Sequence, residues 1–126
     1  MANPNIVSVT SILGNTTFVT PANTSANVLL SNAASSGNVL KINQIVCANV
    51  DGTNAVDCTV TINSAAAGGG TAYPIVSTVS VPADASLVVV DKTTAIYLME
   101  DQSIVVTSSS ANDLAFTISY EAISSS

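Results

Sequence analysis

The 126-residue sequence predicts an all-β domain, an antiparallel β-sandwich of immunoglobulin-like or jelly-roll type with about eight to ten short strands. Three observations lead there. Apolar and polar residues alternate with a period of two over most of the chain, and the spacing of an amphipathic helix is scarcely supported anywhere. Val, Ile and Thr dominate the alternating stretches, and turn-forming residues interrupt them at short intervals.

Taken in order, Ile6 to Leu13 and Thr16 to Thr20 read as strands separated by a Gly14-Asn15 turn, followed by Ala26 to Leu30. Val39 to Val50 and Ala55 to Asn63 flank Asp51-Gly52-Thr53-Asn54, the strongest hairpin signal in the chain. Within the second of these, Val56, Cys58, Val60 and Ile62 share an inward face, and Asp57, Thr59, Thr61 and Asn63 point outward. Residues 65–71, with Gly68-Gly69-Gly70, read as a flexible loop before Ile75 to Val81. Pro82-Ala83-Asp84 then makes a turn, since Pro presets φ at its first position. Ser86 to Asp91 and Ala95 to Met99 follow. Leu87 to Val90 and Ala95 to Met99 are apolar on both faces, so burial on both sides is expected, within the fold or at a subunit interface. Ser103 to Thr107 and Leu114 to Ile123 complete the set. In the last, Leu114, Phe116, Ile118 and Tyr120 face inward and Thr117 and Glu121 outward.

The chain reads as one domain over residues 1–126, with terminal tails at 1–5 and 124–126. Charged residues make up only 8% of it, where soluble proteins carry roughly a quarter. Instead, 18 serines and 14 threonines supply the polar exterior. Lys41 and Lys92 are the only basic residues and the net charge is −6. Neither nucleic acid nor an anionic membrane is therefore expected as a partner, because binding phosphate needs clustered cations. The start lacks the basic and apolar regions of a signal peptide, and Leu87-Val88-Val89-Val90 is far shorter than the ~20 residues of a membrane helix. A soluble protein is expected.

The chemistry of a catalyst is hard to assemble from these residues. Without histidine the usual Ser-His and Cys-His nucleophile pairs cannot form. Glu100 and Asp101 are adjacent, so on a strand they diverge and cannot share a cleft. Gly68-Gly69-Gly70 has no following Lys-Ser/Thr to make a phosphate loop. Two cysteines without histidine cannot complete a zinc site, and no EF-hand spacing is present, although loop acids Asp84, Glu100, Asp101 and Asp113 could be gathered by the fold. The expectation is no enzyme, no cofactor and no metal.

Cys47 and Cys58 form the informative pair, since they flank the hairpin signal. A turn centred on Gly52-Thr53 would set them opposite one another and allow a disulfide. A turn centred on Asp51-Gly52 would set Cys47 opposite Val56. The other reading, two small buried hydrophobes with free thiols, is favoured by their place in apolar alternation. Few charges are present to guard sheet edges, so neighbouring subunits are expected to cover them.

The stretches SNAASSGNVLKINQIVCANVDGTNAVDCTVTI and VPADASLVVVDKTTAIYLMEDQSIVVTSSSANDLAFTISYEAI resemble small virion structural proteins of tailed bacteriophages, of the marine and cyanobacterial phage type. Ser35-Ser36-Gly37, Asn49 to Asn54, Val81 to Asp84 and Ile118-Ser119-Tyr120-Glu121 carry the resemblance most. Such sequences often have Gly in the turn where this chain has Met99-Glu100-Asp101-Gln102, so a different hairpin geometry is expected there. The resemblance implies a virion component assembled in the host cytoplasm. With the size and acidic charge, it suggests a capsid decoration or cement protein that contacts the major capsid protein and copies of itself. A neck, tail or fibre module is the alternative within virions, and a carbohydrate-binding attachment module is the alternative outside that class.

Overall fold

The computed structural model describes residues 4–124. Nine strands run through them: β1 (Ser11–Val19), β2 (Asn27–Asn32), β3 (Asn38–Asn49), β4 (Val56–Asn63), β5 (Ala72–Val81), β6 (Ser86–Val90), β7 (Ile96–Leu98), β8 (Gln102–Ser108) and β9 (Leu114–Ser124). They make two antiparallel sheets. Sheet A has the order β1-β9-β3-β6 with β7 also on β3, and sheet B the order β2-β8-β4-β5. The pairing is nested: β1 with β9, β2 with β8, β3 with β6 and β4 with β5. That arrangement is the jelly roll, and it excludes the immunoglobulin order.

Inward side chains of both sheets meet in one core. Phe116, Leu114 and Ile118 of β9 pack with Ile42 and Ile45 of β3, Leu98 of β7 and Ile104 and Val106 of β8, all fully buried. Each contributes about 1.5–3 kcal/mol by leaving water. The inward faces predicted for β4 and β9 hold, with Tyr120 and Ile62 half-buried against the core.

Several sequence expectations change. Gly14-Asn15 is no turn: β1 runs straight through it, paired residue by residue with β9 from Ser11 to Val19. An edge strand with open space beside Gly14 tolerates the missing side chain. Of the predicted tails, residues 1–3 and 125–126 lie outside the described residues. Pro4 is buried, Asn5 closes a turn onto Val7 and Ser8, and Ser124 belongs to β9. Residues 64–71 are no loose loop. A 3-10 turn at Ala66–Gly68 is held by backbone N–H bonds from Ala66 to Asp101 Oδ1 (3.1 Å), from Ala67 to Ser31 Oγ (2.9 Å) and from Gly68 to Ser103 Oγ (2.9 Å). It covers the outer side of sheet B, where a Cβ on Gly68 would lie within 3.6 Å of both Val28 and Val105. Burial on both faces therefore falls on β8, with Ile104, Val105 and Val106 all buried. Of the two ways in which β6 and β7 could be enclosed, burial within the fold does not hold, since Val88, Tyr97 and Met99 are exposed in the single chain, and burial against another subunit stays open.

Three buried asparagines end three strands and secure the corners after them; Asn63, expected to point out to solvent, is among them, because the 3-10 turn closes over it. Asn32 donates to the carbonyls of Asn38 (3.0 Å) and Leu98 (3.1 Å) and accepts from Ser36 Oγ (2.6 Å). Asn49 donates to the carbonyls of Asn54 (3.0 Å) and Val81 (2.9 Å) and accepts the N–H of Asp51 (2.8 Å). Asn63 donates to the carbonyl of Gly68 (3.0 Å). Where the backbone leaves a sheet its polar groups lose their ladder partners, and a buried amide with both donor and acceptor replaces them. The signal was present as apolar alternation closing on Asn in Leu30-Ser31-Asn32, Cys47-Ala48-Asn49 and Thr61-Ile62-Asn63.

Candidate interaction face

Cys47 and Cys58 do come together, though not across a hairpin. β3 and β4 lie in different sheets, so residues 50–55 form a corner between the layers rather than a two-residue turn. Asp51 holds that corner by accepting the N–H groups of Thr53 (2.8 Å) and Asn54 (3.2 Å), which lowers its pKa. The cysteines occupy inward positions of β3 and β4, fully buried, as free thiols that neighbour one another across the core. The contact with Cys58, together with burial, pushes the Cys47 thiol up, which keeps it protonated and slow to react.

The loop acids are dispersed into separate capping duties. Glu100 accepts the N–H of Gly37 (3.4 Å), Asp101 that of Ala66 (3.1 Å), and Asp113 the hydroxyl of Ser110. Asp101 also occupies the left-handed region at φ 60. It thus adopts in its turn the conformation that Gly would take most easily, stabilised by its own side-chain bond. Among the described residues no three His, Cys, Asp or Glu side chains converge to hold a metal.

The outer face of sheet A is the distinctive surface, and the strand register builds it in rows. One row runs Ile12, Ile123, Val39 on β1, β9 and β3, and ends on Met99 just beyond β7. Pro4 and Ile6 pack beside it, and with Val39, Tyr97 and Met99 they line an apolar cleft of about 260 Å³. A second row runs Phe18, Thr117, Val46 and Val88 across β1, β9, β3 and β6. Between the rows lie Gly14, Glu121, Lys41 and Tyr97, with the cross-strand pair Lys41 and Glu121 in opposite charge. A polar recess of about 380 Å³ opens beside them, lined by Asn43, Gln44, Asp91, Lys92 and Ser119. Asn43 sits at the β-bulge of β3, and its Oδ1 is buried without a hydrogen-bond partner.

The exposed members of the two rows are substantial: Phe18 is 76% exposed, Ile12 55% and Val88 53%. Large apolar side chains gathered on one sheet face mark a contact surface more than scattered ones do. Sheet B is more polar, with Asp57, Thr59, Thr61 and Thr107 on its outer side, and its exposed large apolar residues are Val28 on β2 and Tyr73 on β5. What the sequence showed as strands apolar on both faces is here an apolar outer face. Alternation alone could not tell an enclosed strand from one that shows apolar residues to a partner.

No family model and no curated protein matches the chain. Among solved structures it is similar to a protein of Bacillus endospore appendages, described as forming a family of disulfide-linked pili, with TM-score 0.53 and 15% identity over 92% of this chain and 90% of that one. It also matches a chain in the structure of infectious bursal disease virus, Gx strain, with TM-score 0.40 and 12% identity over 89% of this chain and 38% of that one. The first is a likeness of fold and covers nearly the whole of both chains.

Proposed function

We propose that the chain is a non-catalytic structural subunit of a larger assembly. Within that class the reading is a virion protein of a tailed bacteriophage, a decoration or cement protein that lies on the outer shell and bridges capsid subunits. The observation that carries the proposal is the outer face of sheet A, with its two apolar rows. Three further points support it: the resemblance of residues after about Ala26 to phage virion proteins, a jelly-roll fold like that of a pilus-forming protein, and the 8% charged content. A protein that spends its life docked can leave apolar residues outside.

A bridging subunit gains its full set of contacts only once a lattice exists, so it binds the assembled shell better than isolated capsid subunits and stabilises it by linkage. Apolar rows make that association depend weakly on salt, unlike a contact made of charge pairs. The test mixes purified protein with undecorated particles at low and high salt and measures occupancy and the temperature of shell disruption. High occupancy at both salts with a raised disruption temperature is the expected result. Failure to bind particles at either salt, with binding to isolated tails or to glycans, would replace the capsid reading by one of its rivals.

A further inference from the structure

We propose that β1 pairs antiparallel with β1 of a second copy about a two-fold axis through Asn15, joining two copies of sheet A into one continuous sheet. The starting point is an inequality among the sheet margins. β2 carries a bulge between Val28 and Leu30 and has the 3-10 turn packed on it. β5 contains Pro74, two register shifts and a left-handed Thr78 at φ 48. β6 and β7 are short, and β6 pairs with a register shift. These are the usual devices that stop a margin from recruiting another strand.

β1 has none of them. Its nine residues, Ser-Ile-Leu-Gly-Asn-Thr-Thr-Phe-Val, contain no charge and no Pro, and they pair with β9 without a single shift. Alternate N–H and C=O groups on its far side therefore face outward along the full strand. Exposure extends to both faces: Leu13, on the inward side, is 61% exposed, and Ile12 and Phe18 stand on the outer side. The net charge of −6 makes copies repel one another, and this uncharged margin is where they approach at least electrostatic cost.

The register follows from the side chains. Pairing about Asn15 uses the whole strand and sets Ile12 opposite Phe18 of the second copy, Leu13 opposite Thr17 and Gly14 opposite Thr16. Ile against Phe is a favourable cross-strand pair, and it occurs twice by symmetry. The same register runs the row Ile12-Ile123-Val39-Met99 straight into the second copy's row Phe18-Thr117-Val46-Val88. Two short apolar rows per copy become two long ones per dimer. Moving the register by two residues sets Ile12 against Thr16 or Phe18 against Gly14 and breaks the rows. The pairing stands or falls independently of whether the face docks on a shell.

One strand pair makes a small, weak interface, so mass is measured by sedimentation velocity up to ~1 mM. The expected result is reversible dimerisation. Ile12→Lys or Phe18→Lys alone should weaken it by about tenfold or more. Ile12→Lys with Phe18→Glu should restore it, since each Lys then faces a Glu, and Ile12→Lys with Phe18→Lys should not. Asn15→Cys, facing itself on the axis, should cross-link into a covalent dimer under oxidised glutathione. All these positions are exposed, and circular dichroism checks that each variant keeps its strand content. A monomer at every concentration overturns the proposal. So does a dimer that is indifferent to the charges at 12 and 18, or one that gives no Asn15→Cys cross-link.

Discussion

Phe116 and Thr117 are neighbours on β9 whose side chains sit in different media. The ring of Phe116 is 0% exposed in the centre of the core, whereas Thr117 points out between Phe18 and Val46. Phe116→Ala should therefore cost about 3–5 kcal/mol of folding stability, and Thr117→Ala should change it by less than about 0.5 kcal/mol. Denaturant unfolding of the two variants measures the contrast, and equal losses would mean that the faces of β9 are reversed. The cysteines make a second expectation at this scale. Cys47 and Cys58 are fully buried free thiols in contact, so a thiol reagent without reductant should find both after denaturation and neither promptly in the folded protein. Finding none after denaturation would show a bridge across the sandwich.

At the level of elements, two glycines that look alike in the sequence carry opposite demands. A Cβ on Gly14 would meet nothing within 4 Å, whereas one on Gly70 would lie 2.3 Å from Ser64 Oγ and 2.8 Å from the Ala65 nitrogen, at φ +69. Gly70→Ala should lower the thermal midpoint by the equivalent of about 1–3 kcal/mol, and Gly14→Ala should leave it unchanged or slightly higher. A neutral Gly70→Ala would mean that residues 64–71 are not held against Ser31, Asp101 and Ser103 as described.

The same segment shows what could be read in advance. Period-two alternation located β3, β4 and β9 to within a residue or two, because one face of each is core and the other is not. It could not say which strands pair. In a jelly roll most consecutive strands lie in opposite sheets, so the hairpin chemistry of Asp51-Gly52 serves a corner, and Gly14-Asn15 passes unnoticed through an edge strand. Pairing is set by contacts distant in sequence, such as Ser11 with Ser124. The apolar outer face was visible only as Val88 and Tyr97 standing out of phase, and its rows needed the register of four strands to appear.

For the molecule as a whole, the proposed role requires the outer face of sheet A to be covered. Sheet B carries its own cover in the 3-10 turn and shows Asp57 and threonines to solvent, with Val28 and Tyr73 exposed near its margins, whereas sheet A buries Val39 and Ile123 beside Pro4 and Ile6 but leaves Phe18, Val88, Tyr97 and Met99 open. Two-fold pairing through β1 would double that face, and docking on a shell would enclose it. The most direct measurement compares occupancy of undecorated particles by two variants, Val88→Glu on sheet A and Thr59→Glu on sheet B, each first shown to be folded. A carboxylate at position 88 must be desolvated if the face is covered, so Val88→Glu should weaken binding by about tenfold or more while Thr59→Glu binds as the parent does. Equal binding by both variants, or a loss confined to Thr59→Glu, would contradict the assignment of sheet A as the contact face.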